Sequence, residues 1–429
     1  MTITVVGAGY VGLVTAAVFS DLGNKVFCLD FDAKRIENLK RGKLPFFEPQ
    51  LDDYLSKNFS QKRLFFTTSY SESVPKSQII LVCVGTPPKE NGEANLTYLF
   101  NAVEETAKHL SGYTLIAIKS TIPIGFEDEI ESAAKKFAKT RFEFASCPEF
   151  LREGTAIEDT LHPDRIVIGT SSKKAQKVLL ELHAPLGGER IICDTRSAQL
   201  IKYASNALLA TKISFANAIA NICEKTGADV EKVLSGVGAD KRLGRSFLYP
   251  GVGYGGSCLP KDVLAFAAVG DHFNYNFDLL KTVHRINESQ IDFFLNKIKS
   301  AFKNKSLVSK KIGILGLSFK PNTDDIREAP AIKIIKRLIQ EGAEVTAFDP
   351  KANENAKQEI PEVIIAKDEY ETAKQKDCLL LLTEWPQFIQ MDYEKVKTIM
   401  ASPILFDGRN ALHKEKLESM GFKYIGVGR

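Results

Sequence analysis

The sequence predicts an α/β protein with two doubly wound parallel sheets and a long central helix between them. Three observations predict it. The order strand, glycine turn, helix, glycine, strand, acid occurs once near each end of the chain. Short, continuously apolar runs recur in both regions, as in strands buried on both faces of a parallel sheet. Between the regions lies a helical pattern that is apolar almost all round.

Thr2 to Val6 is the first strand run, followed by Gly7-Ala8-Gly9-Tyr10-Val11-Gly12. A helical stretch from Leu13 to Leu22, a turn at Gly23-Asn24 and a second strand from Lys25 to Leu29 lead to Asp30. Buried-strand runs follow at Ile79–Val84, Leu115–Ile118 and Phe142–Ala145, with helical patterns between some of them. From Ala198 to Lys225 the pattern is the long apolar helix, of the kind buried between domains or in a subunit interface. A glycine-rich loop, GVGYGGSCLPKD from Gly251 to Asp262, interrupts the helical region. Near Lys310 the opening pattern returns: a strand at Lys311–Leu315, a turn at Gly316, a helix at Ala331–Gln340, Gly342, a strand at Val345–Phe348 and Asp349. This second unit is Rossmann-like but lacks the full glycine fingerprint, and Asn304 to Lys310 is the expected junction.

Bulk properties exclude several classes. A chain of 429 residues, 44% hydrophobic, exceeds what one core organises. Lys plus Arg number 57 against 53 Asp plus Glu, and this balance does not suit a nucleic-acid binder acting through its net field. No apolar run approaches the roughly 18 residues of a membrane span, and, with a strand run from Thr2, no cleavable signal segment is expected. The seven cysteines are scattered, odd in number and without a CxxC pair. Reduced thiols in the cytoplasm are the simpler expectation, and no metal site is expected.

The first glycine turn carries a dinucleotide signature: it follows a strand, opens a helix and precedes an acid roughly 20 residues on. Gly7 permits the tight turn, Gly9 lets backbone approach a pyrophosphate, and Gly12 lets helix and strand pack closely. The helix N-terminus offers amides and partial positive charge. Asp30 would accept from both ribose hydroxyls and repel a 2′-phosphate, which favours NAD over NADP. Thr86 and Thr121, at the ends of two strand runs, line the nicotinamide side or simply cap the following turns.

Lys202 and Asn206 are four apart and share a face of the long helix. Lys202 is either paired or shifted in its titration within an apolar helix, or reaches out to water. Cys258 lies among Gly251, Gly253, Gly255 and Gly256, which free the backbone and allow a ligand close approach. Lys261 and a helix start near Pro260 would both favour thiolate, so Cys258 is a candidate nucleophile, with a structural thiol as the alternative. Cys28, Cys83 and Cys378 read as packing residues in strands and Cys223 as a core helical residue; Cys147 and Cys193 stay undecided. Asp262 could hold or activate water. Glu149 and Glu153, in PEFLRE after the Phe142 strand, are further acids at the sheet's ligand edge, or complement a helix N-terminus.

The chain as a whole resembles the UDP-glucose/GDP-mannose dehydrogenase family, on its UDP-glucose branch. The resemblance is carried end to end by GAGYVG, LPFFEPQL from Leu44, VCVGTPP from Val82, KSTIPIG from Lys119, PEFLREGTAIED from Pro148 and HPDRIVIG from His162. It continues through GVGYGGSCLPKD, GLSFKPNTDDIREAP from Gly316 and FDGRNAL from Phe406. It implies two Rossmann-like doubly wound domains joined by a long central helix that also forms a homodimer. The implied divisions are 1–196 for NAD, 197–303 for dimerisation and the Cys loop, and 304–429 for the UDP-sugar.

The resemblance also implies roles. Gly7, Gly9, Val11, Gly12, Asp30, Arg35, Thr86, Thr121, Glu153, Cys258, Lys261 and Arg327 would contact NAD. Glu149, Phe150, Leu151, Arg152, Lys202 and Asn206 would meet the sugar nucleotide, together with Phe247, Leu248, Tyr249, Pro250, Gly251 and Gly255 of the loop over it. Lys320 and Arg409 would meet its diphosphate or sugar, with Arg242 supplied across the dimer; a planar guanidinium fork suits a diphosphate. Cys258, Lys202, Asn206, Asp262, Glu149 and Thr121 would be catalytic. The implied reaction oxidises a hexose hydroxymethyl group to a carboxylate with two NAD, through a Cys258 thiohemiacetal and thioester.

Small departures bear on the substrate. Cys147 stands where Asn or Ser is more usual and Leu259 where Phe is common. CLPKD also occurs in GDP-mannose dehydrogenases, whereas Asp240-Lys241-Arg242-Leu243-Gly244 fits the UDP-glucose branch and Lys261 argues against N-acetylhexosamine relatives. The rivals are a GDP-mannose or UDP-N-acetylhexosamine dehydrogenase, a two-electron dehydrogenase of the 6-phosphogluconate type, which would not need Cys258, and a non-catalytic NAD-sensing scaffold.

Overall fold

The computed structural model describes residues 1–89 and 92–429. The chain divides into two compact units, Met1–Ser205 with Ala268–Asn274, and Asn206–Ala267 with Tyr275–Arg429. It passes between them three times, inside the helices Thr195–Thr226 and Leu259–His272 and again between Asn274 and Tyr275, just after the second of these.

The first unit contains eight strands: β1 (Thr2–Val6), β2 (Lys25–Leu29), β3 (Leu64–Thr67), β4 (Ile79–Val82), β5 (Thr114–Ile118), β6 (Phe142–Ser146), β7 (Arg165–Gly169) and β8 (Glu189–Cys193). Their order is β3-β2-β1-β4-β5-β6-β7-β8. Side chains alternate across each strand, so Ile3, Val5, Ile79 and Leu81 pack on one face with Leu13 and Ala17 of the first helix. Val6, Ile80 and Val82 pack on the other face with Leu99, Val103 and Ile130. Burial on both faces is why these strands read as continuous apolar runs. Each such Leu, Ile or Val contributes roughly 1.5–3 kcal/mol of burial before chain entropy opposes it.

Val6 pairs with both Leu29 and Val82, and strand order reverses there. The carboxyl ends of β1 and β4 therefore diverge into the crevice where open parallel sheets bind ligands. One pair departs from the parallel pattern: β6 and β7 meet antiparallel through Ser146 and Gly169 alone, and β8 then runs parallel to β7. β8 has no clear signature in the sequence because none of its five residues is buried: Arg190, Ile191 and Cys193 are half-buried, and Glu189 and Ile192 are exposed.

The first helix spans Tyr10–Asp21, starting three residues before its apolar pattern. Tyr10 and Val11 are half-exposed, so the opening turn lacks the periodicity that marks the rest.

The second unit holds β9 (Lys311–Leu315), β10 (Glu344–Phe348), β11 (Ile364–Ile365), β12 (Cys378–Leu381), β13 (Ile404–Asp407) and β14 (Lys423–Ile425). They form a parallel sheet in the order β11-β10-β9-β12-β13-β14. The helix expected at Ala331 begins at Pro330, whose missing N–H costs nothing in a first turn. Ala216, Ala220 and Cys223 of the long helix share one core with Phe294 and Leu295 of the helix Asp278–Ser300 and with Ile312 and Ile314 of β9. The long helix leaves Leu208, Phe215 and Ile222, at a spacing of seven, 62%, 48% and 57% exposed.

Candidate active site

In the first unit the glycine turn is built as the fingerprint requires. Gly7 has φ +103°, and a Cβ there would lie 2.9 Å from the Cys83 carbonyl oxygen. A Cβ on Gly12 would lie 1.7 Å from the Gly7 carbonyl oxygen, so helix and turn leave no room for any side chain. Gly9 differs, because a Cβ there meets no protein atom within 4 Å. Packing does not demand that glycine, and the bare backbone there leaves room for a ligand to approach closely. Gly9 also caps the first helix without a side-chain hydrogen bond, which leaves the opening amides available to an anion. Asp30 is buried at the end of β2, accepts the Ala8 amide at 2.7 Å and pairs with the Arg35 guanidinium at 3.2 Å. The turn therefore fits a dinucleotide diphosphate, with Asp30 fixed at the position where it would select the ribose. Val11 follows on the half-exposed first turn of the helix.

The strand ends are tied to one another. The buried Thr86 hydroxyl donates to the Thr121 carbonyl at 3.0 Å, so it bridges two loops rather than capping its own turn. Lys202 is 3% exposed, with its ammonium 2.9 Å from a Glu149 oxygen and 5.4 Å from the centre of the Phe150 ring. The paired alternative for Lys202 is thus realised, and the water-reaching one is not. The other Glu149 oxygen accepts the Leu151 amide at 2.7 Å. Glu153 is buried nearby in sequence, whereas Arg152 is exposed and engages Asp159 through its side chain at 2.6 and 3.0 Å.

In the second unit Cys258 is the one exposed cysteine among the described residues and precedes the helix Leu259–His272. The Ser257 hydroxyl lies 3.5 Å from its sulfur. The other thiols are placed differently. Burial pushes the Cys83 thiol up to about 12 and raises those of Cys28 and Cys378 further. Cys147 is buried and Cys193 half-buried, both with thiols raised by desolvation. Asp262 is 1% exposed and receives the Asn206 amide and the Lys261 ammonium, each at 2.5 Å, one on each oxygen. The cation expected to favour thiolate at Cys258 is therefore engaged by the neighbouring carboxylate.

Arg409 donates from two nitrogens to Glu384, at 2.7 and 3.0 Å, while a third lies 3.5 Å from the Gly253 carbonyl. The Arg409 charge beside Glu384 holds that carboxyl below its usual range against the effect of burial, and Lys320 acts in the same direction. Cβ atoms at Gly251 and Gly255 would strike the carbonyls of Gly408 and Glu328 at 2.7 and 2.3 Å. Phe247 takes φ +64°, Leu248 and Pro250 are buried, and Tyr249 is exposed beneath the Arg245 guanidinium. Arg327 pairs with Asp325 at 2.7 Å, and the 87%-exposed Arg242 pairs with Asp240 at 2.6 Å.

The echo of the opening unit is chemically closed. Asp349 is fully buried and accepts from the Leu317 and Ser318 amides, the Ser318 hydroxyl and the Trp385 indole at 2.8–3.1 Å. An acid consumed by its own turn and an indole has no capacity left for a ribose.

Several residues that build the site have no role legible in the sequence, and Glu48, although it lies within LPFFEPQL, is among them. Glu48, 2% exposed, receives the Ala156 amide at 2.7 Å, the Gly154 amide at 2.5 Å and the Tyr10 hydroxyl. It thereby ties the segment after Glu149 to the fingerprint helix. Glu384, Asn217, Asn287 and Gln290 were equally silent, because ordinary polar residues gain a role only from contacts distant in sequence.

A dinucleotide turn open at Gly9, with a buried acid at the end of the second strand, describes a nicotinamide-dependent dehydrogenase. Residues 1–187, 196–289 and 313–414 match the NAD binding, central and UDP binding domains of the UDP-glucose/GDP-mannose dehydrogenase family. The chain is 44% identical over 430 residues to the UDP-glucose 6-dehydrogenase TuaD of Bacillus subtilis, covering all of this chain and 93% of that one. It is 42% identical to the UDP-glucose 6-dehydrogenase of Rhizobium meliloti over the full length of both. The UDP-glucose dehydrogenase structure from Pyrobaculum islandicum superposes with TM-score 0.92 at 35% identity, covering 100% of this chain and 97% of that one. The chain belongs to the UDP-glucose/GDP-mannose dehydrogenase family, and its cofactor is NAD.

Proposed function

We propose that the protein oxidises UDP-glucose to UDP-glucuronate with two NAD, through covalent intermediates on Cys258. The observation that carries this reading is the second unit's arrangement: an exposed Cys258 at a helix start, four residues before a buried Asp262 gripped by Asn206 and Lys261. A two-electron dehydrogenase needs no such thiol. The names of the relatives support UDP-glucose as the substrate.

NAD, when bound, accepts the hydride of each oxidation. In the first, the C6 hydroxyl gives its proton to Lys202 or to a water held by Asp262, the C6 hydride leaves, and C6 becomes an aldehyde. The Cys258 thiolate then adds to that carbon, forming a C–S bond and a thiohemiacetal. The second oxidation leaves a thioester. Water adds to the thioester, the C–S bond breaks, the thiol is regenerated and the carboxylate leaves. Lys202, held by Glu149, and the Asn206 amide balance negative charge on the C6 oxygen; losing one such donor costs about 100-fold or more in rate. Asp262 holds the water that hydrolyses the thioester.

The remaining residues divide by task. Asp30, Arg35, Thr86, Thr121, Glu153, Lys261 and Arg327 serve the NAD. Phe150, Leu151, Arg152, Phe247 to Gly251, Gly255, Lys320 and Arg409 serve the sugar nucleotide. The protein acts in the cytoplasm as a homodimer paired through the exposed stripe Leu208, Phe215 and Ile222, with Arg242 of one protomer serving the substrate of its partner.

The test is the NADH yield with limiting UDP-glucose. Two NADH and one carboxylate per substrate are expected. A limiting yield of one, or faster turnover of GDP-mannose or a UDP-N-acetylhexosamine, overturns the reading.

A further inference from the structure

The loop before Cys258 carries glycines at 251, 253, 255 and 256, with φ +106° at Gly253 and +83° at Gly256. Such a segment is expensive to hold still: ordering each backbone residue costs about 1–2 kcal/mol, and glycine costs most. It is nonetheless buried from Gly251 to Gly256, so its polar backbone groups need partners.

Those partners come mainly from three buried side-chain amides. The Gly251 amide donates to Asn217 Oδ1 at 2.8 Å, and Gln290 Nε2 donates to the Gly251 carbonyl at 2.9 Å. Asn287 receives the Tyr254 amide at 2.8 Å and donates to the Tyr254 carbonyl at 3.0 Å, using both ends of its amide on one residue as a neighbouring strand would. Two backbone bonds add to these, the Val252 amide to the Gly408 carbonyl at 3.0 Å and the Gly256 amide to the Arg327 carbonyl at 2.9 Å, and Arg409 reaches the Gly253 carbonyl at 3.5 Å. Asn217 and Gln290 are 0% exposed and Asn287 is 4% exposed. The fit is close, since a Cβ on Gly253 would lie 2.9 Å from Asn287 Oδ1. Asn287 and Gln290 are three apart on one helix, and Asn221 of the long helix donates to Gln290 at 3.2 Å, so the clamp spans two helices.

We infer that Asn287, assisted by Asn217 and Gln290, is a positioning residue for Cys258, fixing the glycine loop so that the sulfur is presented in one place. This rests on the reading of Cys258 as nucleophile. None of the three amides needs to touch substrate; each acts through the loop backbone. An apolar residue at 287 strands both polar groups of Tyr254 and releases the loop four residues before the thiol.

The test compares Asn287→Ala and Asn287→Asp with the parent enzyme. The aspartate keeps the volume and can still accept the Tyr254 amide, but it cannot donate to the carbonyl. Three measurements are made well below the melting temperature: hydrogen exchange at the Tyr254 amide, the pH profile of Cys258 alkylation by iodoacetamide read by mass spectrometry, and steady-state kinetics with UDP-glucose. In Asn287→Ala, Tyr254 exchange is expected to accelerate, the alkylation profile to shift, and kcat to fall about 100-fold, while NAD affinity stays unchanged. Asn287→Asp is expected to fall between. A purely structural role would lower the melting temperature and leave the alkylation profile and kcat intact. Unchanged Tyr254 exchange and thiol alkylation in both variants overturns the inference. If the parent enzyme fails to oxidise UDP-glucose, the proposed function falls, but exchange and alkylation still decide whether Asn287 positions the thiol. If Asn287→Ala does not fold, Asn287→Asp alone carries the comparison.

Discussion

Seven cysteines share this chain, and burial separates their chemistry. Six lie in strands, helices or turns with partial or complete desolvation, whereas Cys258 is exposed. Cys258→Ser is expected to abolish carboxylate formation while NAD affinity, measured by fluorescence titration, remains near the parent value, because the fingerprint turn belongs to the other unit. A large loss of NAD binding in that variant would contradict the assignment. His183 offers a prediction of a different kind. It is wholly buried, and desolvation, helped by the Lys119 charge, lowers its pKa from 6.5 to about 4 although its Nδ1 contacts the Leu179 carbonyl. The folded state holds it neutral while the unfolded chain takes up a proton, so its contribution is complete above about 6.5. That contribution is lost as pH falls toward about 4, by roughly 3 kcal/mol in total. The melting temperature of a His183→Gln variant should depend less steeply on pH in that window than that of the parent.

Among the elements, the glycine turn separates packing from ligand binding within six residues. Gly12→Ala places a methyl group 1.7 Å from a carbonyl oxygen and should lower the melting temperature together with NAD affinity. Gly9→Ala meets no protein atom and should leave the melting temperature nearly unchanged while still weakening NAD binding. Thermal denaturation and cofactor titration of the two variants distinguish these outcomes; equal destabilisation would show that Gly9 is there for packing. This turn was legible in the sequence because its constraint is local: three glycines, a strand before and an acid after. β8 was not legible, because its residues are half-exposed and its pairing with β7 is settled by neighbours far along the chain. The first turn of the fingerprint helix was missed for a similar reason, since Tyr10 is only partly buried and its hydroxyl is committed to Glu48, 38 residues away.

For the whole molecule, the exposed stripe on the long helix is the surface through which the proposed homodimer would pair. Leu208, Phe215 and Ile222 repeat at the seven-residue spacing with which helices pair, and burying each contributes roughly 1.5–3 kcal/mol. Leu208→Glu with Phe215→Glu should convert the protein to a monomer in sedimentation velocity without loss of helix content. A dimer that survives both changes would place the interface elsewhere. Local repetition makes both doubly wound sheets, the long helix, the NAD turn with Asp30 and the candidacy of Cys258 readable from the chain alone. The pairings that give these residues their chemistry come from the folded arrangement. Lys202 finds Glu149 across 53 residues, Asn206 finds Asp262 across 56, and Asn287 finds Tyr254 across 33. The physical reason is that backbone periodicity is written in neighbouring side chains, whereas the desolvation and partner of a buried polar group depend on which distant segments the folded core brings beside it.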